Sequence, residues 1–199
     1  MRPCMRPGVS ILAAWIVTGL LAAGALAETS RPVSQLDIEP DGGGVHSLGV
    51  IWLPAAPETV RAILTDYEHW PELFPGRFEV VSIQRETDRV VTELRINRWP
   101  LPGTLQLVCE TRVSADGSVV TSLVRGDFQR YRRAWTLRPE ERDGRAGTRG
   151  EVDLRFELTS WVPAWVVTQT LRGQLEEHFQ VLAARVSAAN ASGGQRRGN

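Results

Sequence analysis

The sequence predicts an α+β fold: a seven-stranded antiparallel sheet gripping one long C-terminal helix, with two short helices after the first strand. Three observations carry this. Between Phe78 and Leu158 apolar and polar residues alternate over six successive segments, the pattern of strands buried on one face and wet on the other. From Pro163 to about Ala189, Leu171, Leu175, Phe179, Leu182 and Val186 recur at three- and four-residue steps, which makes one apolar stripe on a long helix. The links between the strand-like segments are hairpin-sized, so neighbouring strands run antiparallel. The sheet and the helix stripe then bury each other, and a cavity is expected between them.

The first residues stand outside this fold. Arg2 and Arg6, the apolar run Val9 to Ala23 and the small-residue site Ala25-Leu26-Ala27 follow the order of a secretory signal peptide. The run is short for a membrane span, although an uncleaved anchor is the alternative. Residues 1–27 are read as a signal peptide cleaved after Ala27, which makes the protein exported and periplasmic. Residues 28–45, polar and ending near Asp41-Gly42-Gly43-Gly44, are read as a flexible lead-in. Residues 46–189 form one domain, and residues 190–199 a disordered tail.

Of the 199 residues, 23 are basic and 23 acidic, so that without Arg2 and Arg6 the net charge is near −2. A near-neutral chain with no basic run excludes nucleic acid as a partner. Cleavage would leave Cys109 as the single cysteine, so no intramolecular disulfide is expected and the core carries the stability. Cys109 alternates with apolar neighbours and reads as a buried small hydrophobe.

In chain order, His46 to Leu53 is the first strand, and Pro54 stops it. Pro57 opens a helix, where a missing N–H costs nothing, and Val60, Ile63, Leu64 and Tyr67 share its inner face. Asp66 to Gly76 holds a short helical turn bounded by prolines. The six strands then run Phe78–Arg85, Arg89–Trp99, Thr104–Ser114, Ser118–Asp127, Arg130–Arg138 and Thr148–Leu158. Thr159-Ser160 and Trp161-Val162-Pro163 lead into the last helix.

Several of these stretches resemble the START-like or SRPBCC superfamily. They are Pro57-Glu58-Thr59-Val60, the segment Asp66-Tyr67-Glu68-His69-Trp70-Pro71-Glu72-Leu73-Phe74-Pro75, and Trp135 within Arg133-Ala134-Trp135-Thr136-Leu137. Thr148 after a glycine-containing turn and Val162-Pro163 before the helix complete the set. The resemblance covers roughly Val45 to Ala189. It implies the helix-grip fold shared by polyketide cyclases, lipid-transfer domains and coenzyme-Q-binding proteins, and none of its residues is a catalytic signature.

In an antiparallel meander, alternate links gather at one end. Trp99-Pro100-Leu101-Pro102-Gly103, Asp127-Phe128-Gln129-Arg130 and Ser160 to Trp165 meet at one end, and plain polar turns meet at the other. Aromatic rings in links fit an apolar mouth, a lid or a patch touching lipid. Inward folding that corks the sheet is the other reading. Peripheral membrane contact stays open, since tryptophan suits a lipid–water boundary.

On the sixth strand Tyr131, Arg133, Trp135 and Leu137 share a face. If they point inward, Arg133 needs a carboxylate or an anionic ligand group. Otherwise it lies near the strand end and reaches water or an outer glutamate. His46, His69 and His178 have no ligand spacing with one another, so no metal and no cofactor is expected. His178 borders the apolar stripe and reads either as a boundary residue or as facing the cavity. His69 reads as a surface or capping residue.

The sequence favours an exported binding or carrier protein for a hydrophobic small molecule or lipid, isoprenoid, quinone or acyl-chain-like, without catalysis. Its cavity and mouth candidates are Trp99, Phe128, Tyr131, Arg133, Trp135, Phe156, Trp165, Leu171 and Leu175. An aromatase or cyclase working through Tyr131, Arg133 and His178 and an envelope protein-interaction module are the alternatives. Oligomeric state is left open.

Overall fold

The computed structural model describes residues 33–97, 102–159 and 163–196. The proposed signal peptide and Trp99 lie outside the described residues. The elements run β1 (Val33–Asp41), β2 (Gly44–Leu53), α1 (Pro57–Leu64), a 3₁₀ turn (Tyr67–His69) and α2 (Trp70–Leu73). There follow β3 (Phe78–Arg85), β4 (Val90–Asn97), β5 (Thr104–Val113), β6 (Val119–Gly126), β7 (Phe128–Arg142), β8 (Arg145–Leu158) and α3 (Ala164–Arg196). The strands form one antiparallel sheet in the order β1-β2-β8-β7-β6-β5-β4-β3. This is the α+β helix-grip architecture that the alternation and the long stripe predict.

The sheet has eight strands, not seven. The extra one, β1, occupies half of the segment, residues 28–45, expected to be a flexible lead-in. It pairs with β2 from Val33↔Ile51 to Asp41↔Gly44, leaving Gly42-Gly43 as a two-residue hairpin turn. Gly42 takes φ 62°, which a primed hairpin turn demands of its first central residue. Leu36 and Ile38 then pack against the core. The expected disordered tail is also corrected, because α3 continues to Arg196. Asn190 helps hold that extension, donating its side-chain amide to the Pro54 carbonyl at 2.7 Å.

The β7–β8 hairpin is longer than the sequence predicts. Pairing persists from Tyr131↔Phe156 through Pro139↔Thr148 to Arg142↔Arg145, and the turn closes on Asp143 and Gly144, both at positive φ. Bulges between Val80 and Ser82, Val108 and Cys109, and Phe128 and Arg130 bend and twist their strands, which helps the sheet curve around α3. The helix presents the expected stripe: Leu171, Leu175, Phe179, Leu182 and Val186 are all buried. Gly49 on β2 lies under this helix, and a β-carbon built there would stand 2.9 Å from the Phe179 ring.

The short helices close the side of the fold near β3. Val60 and Leu64 of α1 are buried, as are Tyr67, Trp70 and Leu73. Trp70 donates its indole N–H to the Leu64 carbonyl at 2.9 Å, tying α2 back to α1. Thr148 donates to the Ala55 carbonyl at 2.6 Å, which fixes the link after β2 against β8. These buried polar groups are satisfied, as burial requires.

Candidate functional site

A cavity of about 230 Å³ lies between the concave face of the sheet and α3. That is far more room than a single water needs. The sheet contributes mostly aliphatic and aromatic side chains from β4, β5, β7 and β8. The helix contributes Val167, Leu171, Leu175 and His178, while Trp70, Phe74 and Phe78 close the wall at the α2–β3 corner. Their alternation along each strand sends these side chains inward and the arginines and glutamates between them outward.

Most of the expected candidates meet on this wall. Phe128, Tyr131, Arg133, Trp135 and Phe156 line it from the sheet, and Leu171 and Leu175 line it from the helix. Trp165 does not. It stands in the first turn of α3 with 73% of its surface exposed, outside the lining, because the inward positions of that turn are taken by Val166 and Val167. The expected aromatic end is partly closed from within: Phe128 is buried, edge-on to Tyr131 at 5.8 Å and to Phe156 at 6.2 Å.

Trp70 and Phe74 are wall residues that the sequence reading did not single out. Their signal was available, since both sit in the proline-bounded Trp-Pro-Glu-Leu-Phe-Pro segment. An aromatic pair there has no turn function and is free to pack. His178 proves to be interior, 4% exposed, and takes the cavity-facing of its two expected places. His69 is a surface residue, paired with Asp66 at 2.8 Å, and that carboxylate raises its pKa.

Arg133 lies where Trp135 and Tyr131 point. Its guanidinium sits 4.9 Å from the centre of the Trp70 ring, a cation–π contact that repays part of its desolvation. Among the described residues it has no carboxylate partner, and its Nε is buried without an acceptor. The groups around it are neutral near pH 7. Burial raises the phenols of Tyr67 and Tyr131 and the thiol of Cys109, and it lowers His178 to about 4. Each of the four feels the Arg133 charge, and none returns a negative one.

The second wall arginine differs. Arg77 pairs with Glu177 of α3 at 3.1 Å, so its charge is already met, although its Nε is also buried without a partner. Trp135 adds a third such donor, its indole N–H. The cavity is therefore an apolar chamber with one unmatched cation and several unmet N–H donors. Among the described residues it contains no compact set of a nucleophile, a base and an orienting acid.

Among curated proteins, none matches this sequence. Several solved structures share the fold. A START superfamily protein from Mycobacterium smegmatis superposes with a TM-score of 0.59 at 21% identity, over 74% of this chain and 99% of its own. A STAR-related lipid transfer protein from Xanthomonas axonopodis gives 0.58 at 16%, over 76% and 98%. The Zhui aromatase/cyclase from Streptomyces sp. R1128 gives 0.54 at 11%, over 71% and 93%. The family model described as polyketide cyclase / dehydrase and lipid transport matches residues 53–177, from the end of β2 into the middle of α3. That match takes in the two short helices, the cavity strands and the start of the helix stripe at Leu171 and Leu175, and the chain belongs to this polyketide cyclase / dehydrase and lipid transport family.

Proposed function

We propose that the mature chain is an exported carrier or binding protein for a hydrophobic small molecule or lipid, isoprenoid, quinone or acyl-chain-like, held between the sheet and α3. The observation that carries this reading is the apolar chamber itself. Side chains of this size close-pack in ordinary cores, and a space of about 230 Å³ left between them costs stability unless something fills it. Burial of a hydrocarbon body there contributes about 25 cal/mol per Å² of apolar surface. The family's lipid-transport description supports the same class, and the signal-peptide pattern of Arg2, Arg6, the apolar run Val9 to Ala23 and Ala25-Leu26-Ala27 supports export to the periplasm.

The experiment is native mass spectrometry with organic extraction of the protein recovered from the exported compartment. The expected result is one apolar molecule per chain. A protein that is empty and also ignores apolar fluorescent probes overturns the reading.

One observation favours a second reading, an aromatase or cyclase. His178, neutral at pH 7, and Tyr131 share the wall with Arg133, so proton-transfer groups stand beside a cation that would steady an enolate. Turnover of a linear poly-β-ketone by the purified chain, lost in Tyr131→Phe, would establish it in place of the carrier.

A further inference from the structure

The imbalance of charge and hydrogen bonding on the cavity wall narrows the ligand. The described lining holds Arg77 and Arg133 but no aspartate or glutamate. Arg77 is neutralised from outside the cavity by Glu177. Arg133 has an aromatic face beneath it and no anion beside it. Every buried polar side-chain atom on the wall that lacks a partner is an N–H: those of Arg77, Arg133 and Trp135. Arg133 is half-buried with its Nε fully out of water; a guanidinium drawn partly out of water without a counter-charge is costly, and buried donors are normally met. What the site lacks is an acceptor carrying negative charge.

Size and charge choose among acceptors. One uncompensated cation is balanced by one negative charge. A phosphate monoester brings about −1.5 to −2 and would leave net charge in an apolar chamber. A carboxylate brings one charge and two oxygens, and it matches the fork of a guanidinium. Phe128, Phe156, Leu171 and Leu175 are suited to an apolar body beyond it.

We infer that the cavity takes an apolar monocarboxylic acid, its carboxylate on Arg133 and its hydrocarbon body between the sheet and α3. This rests on the carrier reading and specifies the polar end of the cargo. Trp70 holds the guanidinium ready, so the arginine needs little rearrangement when the acid arrives. Trp135, two residues along the same face of β7, supplies a neutral donor beside it.

The test compares dodecanoic acid, dodecanol and methyl dodecanoate by titration calorimetry on the mature chain near neutral pH, in wild type and Arg133→Met. Wild type is expected to bind the acid about 10- to 100-fold more tightly than the alcohol or ester, the range a charge-assisted pair supplies. In Arg133→Met that advantage is expected to disappear, the acid binding no more tightly than dodecanol or the ester. Equal affinities in wild type, or an acid preference that survives the substitution, overturn the inference and leave the carrier reading standing. Failure of all three to bind wild type overturns both. The wild-type comparison decides by itself should Arg133→Met not fold.

Discussion

His178 of α3 donates its Nδ1–H to the carbonyl of Leu73 at 3.0 Å, and its ring lies flat on Phe74, 3.9 Å between centres. A carbonyl only accepts, so the hydrogen sits on Nδ1. One side chain thereby fixes the end of α2 to the long helix.

That contact sets an acid limit on stability. Burial lowers the imidazole from 6.5 to about 4; the bond to Leu73 opposes the fall and the Arg133 charge adds to it. Arg133 is the charged group facing the ring, while Phe74, Trp135 and Phe179 pack around it without titrating. Between about 6.5 and 4 the unfolded chain binds more protons than the folded one, so stability falls as pH is lowered through that window and is full above it. The full effect is about 3 kcal/mol. Denaturant midpoints measured from pH 7 to pH 4 in wild type and His178→Leu check it: the variant is expected to lose the histidine part of the slope.

Two glycines of opposite circumstance give a matched pair. Gly49 is buried under α3, and a β-carbon there meets both the Phe179 ring and Val152 at 2.9 Å. Gly49→Ala is expected to cost about 1–3 kcal/mol, the usual penalty for overpacking. Gly173, exposed on α3, has nothing within 4 Å of its missing β-carbon. Gly173→Ala is expected to stabilise by about 0.5–1 kcal/mol, because alanine loses less entropy in a helix. Thermal melts of the two variants read both signs.

Cys109 is fully buried and shares a 3.2 Å contact with the Thr92 hydroxyl. Burial raises its thiol pKa, so little thiolate exists and none of it is reachable. Iodoacetamide labelling of Cys109 is expected to follow global unfolding, with a rate that rises only as denaturant approaches the midpoint. Rapid labelling of the native protein would contradict the buried placement.

How far the sequence reveals these features depends on what each residue must satisfy. β8 was legible because Val152, Leu154, Phe156 and Leu158 alternate with charged residues, and a two-sided environment leaves that imprint. The α3 stripe was legible for the same reason at a helical period. β1 was not: Leu36 and Ile38 give only two inward apolar positions, and Gly42-Gly43-Gly44 looks the same in a tight hairpin as in a loose linker. The direction of Arg133 followed from its register with Trp135. Its lack of a counter-ion did not, since that depends on which carboxylates other strands bring near. Trp165 misled because a tryptophan beside a helix start has the same composition whether it turns inward or out.

The outward Trp165 separates ligand binding from surface docking. With its ring 73% exposed, Trp165→Ala is expected to change folding stability by less than about 0.5 kcal/mol, as surface substitutions do, and to leave the affinity for apolar cargo unchanged. Sedimentation with anionic and neutral vesicles then reads the membrane separately. A drop in vesicle binding with cargo affinity intact would assign this ring to docking.

A cavity that holds cargo also has room for a larger side chain, and a tightly packed core does not. Leu171 lines the chamber from the helix while remaining nearly buried. Enlarging a residue in a filled core costs about 1–3 kcal/mol through strain, whereas indole atoms entering existing space gain contacts instead. Leu171→Trp is therefore expected to shift the denaturation midpoint by less than about 1 kcal/mol and to weaken apolar ligand binding by about tenfold or more, since the ligand and the indole compete for the same volume. Calorimetric titration of dodecanoic acid alongside a urea melt measures both quantities in one preparation. Strong destabilisation with unchanged binding would mean that Leu171 faces packed core and that the cargo lies elsewhere.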